Sequence, residues 1–232
     1  PNDPELGYSA YNIPHRIQAS AYYHINYGAQ KQWQTTVGLI YQAKSGSPYS
    51  IYYYGDVNED GANGNDLFFI PTDAQIDKMQ FEETNFSANA LTKTVFGDNF
   101  TAPKLTADMQ RAMMKHWIGN DSYMKNHRGE YYKRYADNLA FEHHFDVHFA
   151  QKYSFKVGGQ INSLELSFDI INAGNMLNKN WGHTYGDGFG VYYSPVNYQR
   201  NGRYQFTGGY ATRNYSDYYS RWRGQLGLRY TF

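Results

Sequence analysis

The sequence predicts an all-β membrane wall: long antiparallel strands of a transmembrane β-barrel that carry two large extracellular loops. Three observations lead there. Apolar and polar residues alternate with period two over five segments, each about 11 to 19 residues long, where soluble strands usually run about 5 to 6. Tyr and Trp stand at the ends of those segments (Tyr27, Trp33, Tyr41, Tyr153, Trp222), where an aromatic girdle belongs. The connections alternate short, very long, short, very long, the asymmetry of tight periplasmic turns and large external loops.

Composition agrees with this reading. Tyr, Phe and Trp make up 19% of the 232 residues, with 25 Tyr alone, yet mean hydropathy is -0.76. Aromatic surface is therefore interleaved with polar residues instead of clustered. No run approaches the roughly 18 apolar residues of a membrane-spanning helix, which excludes a helical membrane protein but leaves strands open. Lys+Arg and Asp+Glu balance at 21 each, so there is no basic footprint for nucleic acid. Cysteine is absent, which removes disulfides and thiolate chemistry.

The first strand runs over about 14–27, with Ile17, Ala19, Ala21, Tyr23, Ile25 and Tyr27 opposite Arg16, Gln18, Ser20, Tyr22, His24 and Asn26. A turn at Gly28 to Lys31 leads to the second, about 32–43. Trp33, Thr35, Val37, Leu39, Tyr41 and Ala43 form its apolar face, and Ile40 breaks the opposite one. The third spans about 139–157. Leu139, Phe141, Phe145, Val147, Phe149, Tyr153, Phe155 and Val157 share a face, with His143 and Gln151 as polar exceptions. Gly158-Gly159 turns the chain into the fourth, about 161–171, where Leu164, Leu166, Phe168 and Ile170 oppose Glu165, Ser167 and Asp169. The fifth, about 221–232, sets Trp222, Leu226, Leu228, Tyr230 and Phe232 against Arg221, Arg223, Gln225, Arg229 and Thr231.

In a membrane barrel the apolar face meets lipid and the polar face lines the lumen. In a soluble sandwich, the competing architecture, the apolar face packs on a second sheet. On the barrel reading Glu142, His144, Asp146, His148, Glu165, Asp169, Arg223 and Arg229 line the lumen. Parity of the turns then places the C-terminus in the periplasm. Five strands cannot close a ring, because open edges in hydrocarbon cost several kcal/mol per unsatisfied group. The remainder of the barrel is therefore an expected partner, together with the lipid bilayer. The two long loops cover about 44–138 and 172–220. Met109, Met113 and Trp117 recur at helical spacing and predict a helix over Leu105 to Ile118.

RWRGQLGLRYTF, Arg221 to Phe232, resembles the closing strand of bacterial outer-membrane proteins, whose Tyr230 and Phe232 positions would form the C-terminal assembly signal. LELSFDIINAGNMLNKNWG, Leu164 to Gly182, resembles the penultimate strand of TonB-dependent receptors, ended by an Asn-rich element (Asn172, Asn175, Asn178). GDVNEDGANGNDLFFIPTD, Gly55 to Asp73, and NHRGEYY, Asn126 to Tyr132, are similar to segments of the Oar-like branch, which has a carboxypeptidase-regulatory-like N-terminal domain. The resemblance spans nearly the whole chain and implies the last five strands of a plugged barrel of about 22 strands. It also implies an N-terminal plug, a TonB complex as energy source, a possible surface lipoprotein as partner, and the outer membrane of a diderm bacterium as location.

Asp56, Asn58 and Asp60 followed by Gly61 reproduce the opening of a calcium loop, with Asp66 as a further oxygen donor and Leu67 where a bidentate Glu belongs. Ca2+ in loop 56–67 and an ion-free run of Asx turns are both compatible with that pattern; no cofactor is required. Glu142, His144, Asp146 and His148 sit about 6.6 Å apart along one strand face, a spacing that reads as polar lining before metal chelation. The loops are rich in aromatics. Tyr52, Tyr54, Tyr132, Trp181, Tyr185 and Tyr193 are the candidates for ligand contact, because such rings combine stacking area with a polar handle. No nucleophile–base pair can be assembled, so no enzyme is expected. The sequence leaves three functional readings: active nutrient import, a passive channel or adhesin barrel, and a secreted carbohydrate-binding sandwich.

Overall fold

The computed structural model describes residues 6–185, 191–199, 201–208 and 215–232; parts of the second long loop, 186–190, 200 and 209–214, lie outside them. The strands in chain order are β1 Arg16–Tyr27, β2 Trp33–Lys44, β3 Pro48–Tyr54, β4 Thr84–Asn85, β5 Lys104–Leu105, β6 Asp137–Asn138, β7 Glu142–Val157, β8 Gln160–Ile171, β9 Val191–Gln199, β10 Arg203–Phe206 and β11 Arg223–Thr231. The helices are α1 Asp73–Lys78, α2 Ala90–Phe96, α3 Ala107–Asn120, α4 Ala173–Leu177 and α5 Asp217–Ser220. The molecule is mostly β, and no helix among the described residues is long and apolar enough to cross a membrane. Two compact units result. A sheet unit comprises Ile13–Gly46, Ala140–Asp187 and Arg213–Phe232; a mixed unit comprises Pro1–Asn12, Ser47–Leu139 and Gly188–Thr212.

The sheet unit is built on one five-stranded antiparallel sheet, ordered β1-β2-β7-β8-β11. Gly158 and Gly159, at φ 58° and 90°, make the two-residue turn with positive φ at both positions that joins β7 to β8. They fix the register at Val157 opposite Gln160. β2 then pairs β7 from Trp33–Tyr153 to Lys44–Glu142. The period-two pattern is thereby carried across the strands in phase, giving one apolar and one polar face.

Among the described residues most of the apolar face is exposed, Phe168 at 42% and Leu226 at 71%, while the end that bears Phe145 lies against α4 and the segment that follows it. Cross-strand ring pairs bind its ends. Trp33 meets Tyr153 at 4.4 Å, and Tyr41 meets Phe145 at 4.6 Å. The polar exceptions on this face are satisfied locally. Gln151 Oε1 accepts from Thr35 Oγ1 at 2.7 Å and Tyr27 Oη at 3.1 Å, and its Nε2 donates to the Gln34 carbonyl. His143 Nδ1 lies 2.8 Å from Tyr41 Oη. On the polar face His148 pairs Asp169 at 2.6 Å, and Arg229 approaches Glu165 at 3.8 Å.

β7 begins at Glu142, later than the alternation suggests. Leu139 leaves the apolar row altogether: it is 4% exposed within the mixed unit, where its amide donates to the Ser47 carbonyl.

The mixed unit gathers most of the first long loop and part of the second around its own core, which includes Ile51, Phe68, Ile70, Met113, Ile118 and Phe206. Its sheet is ordered β10-β9-β3-β6, with β3 and β9 parallel. The helix expected from the Met109–Met113–Trp117 spacing is α3, shifted two residues downstream and started by a capping box on Thr106. Capping boxes at Thr72 and Asn89 start α1 and α2, which the periodicity did not reveal.

Candidate functional site

Residues 172–185 build a cavity on the sheet unit. β8 ends at Ile171, opposite β7 near Asp146, so the outer stretch 142–146 of β7 runs on without that neighbour. Asn172 takes up the left-handed conformation, φ 56° and ψ 48°, and turns the chain aside into α4. Its amide donates to Asp146 Oδ1 at 2.8 Å; its side-chain Nδ2 donates to the carbonyls of Gly182 at 2.8 Å and Ser220 at 2.7 Å. Asn175 Nδ2 donates to the carbonyls of Lys179 and Trp181, which fixes the backbone there.

Glu142 fastens the other end. Its side chain is 2% exposed; Oε1 accepts from the Tyr185 amide at 2.9 Å, and Oε2 has Lys44 Nζ at 3.4 Å. Thr184 Oγ1 lies 3.4 Å from His144 Nε2. Glu142 and His144, expected as lumen lining, therefore act first as a clasp for the 172–185 segment. Glu142 in particular is corrected from lining to buried anchor, because an isolated carboxylate under a loop needs such partners.

Between this segment and β7 lies a cavity of about 300 Å³, lined by Phe141, His143, Phe145, Gly174, Asn180, Trp181, Gly182, His183 and Tyr185. His183 stacks face to face on Tyr215 at 3.8 Å. Its Nε2–H donates to the Lys179 carbonyl at 2.9 Å, since that oxygen can only accept. Two of the sequence-predicted ligand residues, Trp181 and Tyr185, thus meet here. Gly174, Gly182 and Asn180 were not anticipated; a further sequence signal for the site was the polar His143 on an apolar row.

The other predicted ligand residues lie in the mixed unit. Tyr54 is exposed and Tyr52 buried; as second neighbours on β3 they share a face. Tyr52 sits edge-on to Tyr192 at 5.7 Å, and Tyr135 Oη donates to Tyr192 Oη at 2.9 Å. Burial, and then that hydrogen bond, raises the Tyr135 hydroxyl above the usual phenol range, so it stays a neutral donor. Tyr193 is half-buried against Tyr49 at 5.5 Å. Tyr132 is fully buried, with Tyr49 and Tyr123 about it. It is a core residue and is withdrawn as a ligand contact, since its ring has no face left to offer.

Asp56, Asn58, Asp60 and Asp66 come together in one loop, and each accepts backbone amides. Asp56 takes those of Asp60 and Gly61, Asn58 that of Asp60, Asp60 that of Ala62, and Asp66 those of Val57 and Asn58. The Ala62 amide, followed by the Asn58 and Asn65 side chains, holds the Asp60 carboxyl below its usual range. The loop is closed by its own amides as a run of Asx turns. Chelating Ca2+ is expected to leave protease cleavage of this loop unchanged. Asp56→Ala strands the Asp60 and Gly61 amides and is expected to raise cleavage; a rise caused by the chelator would instead make a cation part of the loop.

The polar row Glu165, Asp169, Arg223 and Arg229 stays on one face of the sheet, and Tyr230 Oη donates to Asn162 Oδ1 at 2.7 Å beside the terminal Phe232. No family model, curated protein or solved structure matches the chain.

Proposed function

We propose that the chain is the C-terminal wall and external head of a TonB-dependent outer-membrane receptor, which captures a nutrient outside and admits it through a plugged barrel of about 22 strands. One observation carries the reading: a five-stranded antiparallel sheet whose apolar face is, among the described residues, largely exposed while its polar face holds ion pairs. In water such a face loses roughly 25 cal/mol for each Å² left unburied, so it needs a cover, and the bilayer is one that fits. From Trp33 to Ala43 the chain advances about 34 Å at about 3.4 Å per residue. Tilted by about 40°, that is roughly 26 Å, close to the apolar band of about 25 Å in outer-membrane barrels. Strands β1 and β11 each have a single neighbour, which leaves two edges for the rest of the ring to pair.

The wall is tested by placing Trp at Leu166 or at Ser167 in the full protein, held in bilayers of brominated lipid. The added emission of Leu166→Trp is expected to be quenched several-fold more than that of Ser167→Trp; equal quenching removes the lipid-facing assignment. Energy coupling is tested by binding of the full protein to the C-terminal domain of TonB. Failure to bind would favour a passive channel.

A further inference from the structure

We propose that the cavity at the outer end of β7 binds a neutral glycolipid, with an acyl chain along Phe141 and Phe145 and an uncharged sugar among Trp181, His143, His183 and Asn180. The inference rests on the membrane-wall reading above and names a ligand of that wall which is distinct from the transported nutrient.

The cavity is built instead of being left by a slack loop. Asn172, Asn175 and Glu142 hold the segment opposite β7 from both ends through named hydrogen bonds. A volume of about 300 Å³ is at the low end for ligand pockets, enough for one sugar ring and a few methylenes. The lining contains no Lys, Arg, Asp or Glu. Only the two imidazoles could face a phosphate or carboxylate, and each would first have to take up a proton beside apolar rings, so the lining favours a neutral head.

Hydrogen-bonding capacity of both signs is nevertheless present. His183 spends its Nε2–H on the Lys179 carbonyl, which leaves Nδ1 as an acceptor. His143 engages Tyr41 through Nδ1, which leaves Nε2. The Trp181 indole, 56% exposed, offers a flat face of the kind that stacks on sugar C–H groups. The requirement for a chain comes from the rest of the wall: Phe145 ends the exposed apolar row where it enters the cavity, and α4 adds exposed Met176 and Leu177. A free sugar would leave that surface bare.

The test uses the full protein in micelles of an octaethylene glycol detergent, titrated with dodecyl maltoside and followed by native mass spectrometry. One retained glycoside per chain, saturating, is expected, with maltose alone retained at least 100-fold more weakly. Gly174 has ordinary helical backbone, and a Cβ there would lie 3.8 Å from Trp181 Cβ and 3.9 Å from Phe145 Cδ2. Gly174→Leu therefore fills the cavity and should weaken retention at least tenfold; Trp181→Ala, which removes the stacking face, should do the same. Equal retention in both variants, uptake of many glycosides in proportion to concentration, or maltose binding as tightly as the glycoside would each overturn the proposal. Brominated-lipid quenching at Leu166→Trp separates the two readings. Quenching without glycoside retention sinks the pocket alone, and loss of quenching sinks the wall and the proposal with it.

Discussion

Gln110→Leu is expected to destabilise the mixed unit by about 3 kcal/mol or more. Gln110 is fully buried on α3. Its Nε2 donates to the carbonyls of Glu82 at 2.7 Å and Leu105 at 3.2 Å, and its Oε1 accepts from the Phe206 amide at 2.8 Å. One side chain thus satisfies three backbone groups from three separated stretches of chain. Leu fills nearly the same space but leaves all three without a partner, at about 1 to 3 kcal/mol for each orphaned group. Hydrogen exchange of the α3 amides in the full protein reads the loss. Protection that falls by less than about 1 kcal/mol would show that water reaches these groups and that Gln110 is not the tie it looks.

Gly182→Ala is expected to cost about 2 to 4 kcal/mol in the sheet unit, and about half of that cost should vanish when Asn172 is also changed. Gly182 has φ 64°, and a Cβ built there would lie 1.9 Å from Asn172 Oδ1. The left-handed backbone alone costs an Ala about 1 to 2 kcal/mol; the collision adds the remainder, because Asn172 is held by Gly182 and Ser220 and has nowhere to go. In an Asn172→Gly background, which keeps the turn but removes the side chain, Gly182→Ala should cost only the backbone's about 1 to 2 kcal/mol. Thermal unfolding of the four proteins closes the cycle. Additive effects within about 0.5 kcal/mol would mean that the two residues do not meet.

The five strands of the long sheet were legible because an apolar face and a polar face impose period two, whereas β3, β6, β9 and β10, inside stretches read as loops, were not. The starts at Arg16, Trp33, Glu142, Gln160 and Arg223 fall within about three residues of those read from alternation. α3 was legible for the same reason at period 3.6. What escaped the sequence is non-local. Tyr132 and Tyr54 look alike in a linear reading, yet one is core and the other surface, because burial depends on partners far along the chain. α1 and α2 have six and seven residues, too few to show a period. Of the cavity, the rings Trp181 and Tyr185 could be singled out by type, whereas Gly174 and Gly182 matter only through what stands opposite them.

The parallel pairing of β3 with β9 ties residues 49–54 to 191–197, joining what looks in the sequence like two independent connections. Chimeras that exchange only one of the two would leave a ladder of amides and carbonyls facing a foreign segment. The pair should therefore be inherited, and swapped between homologues, as a single cassette.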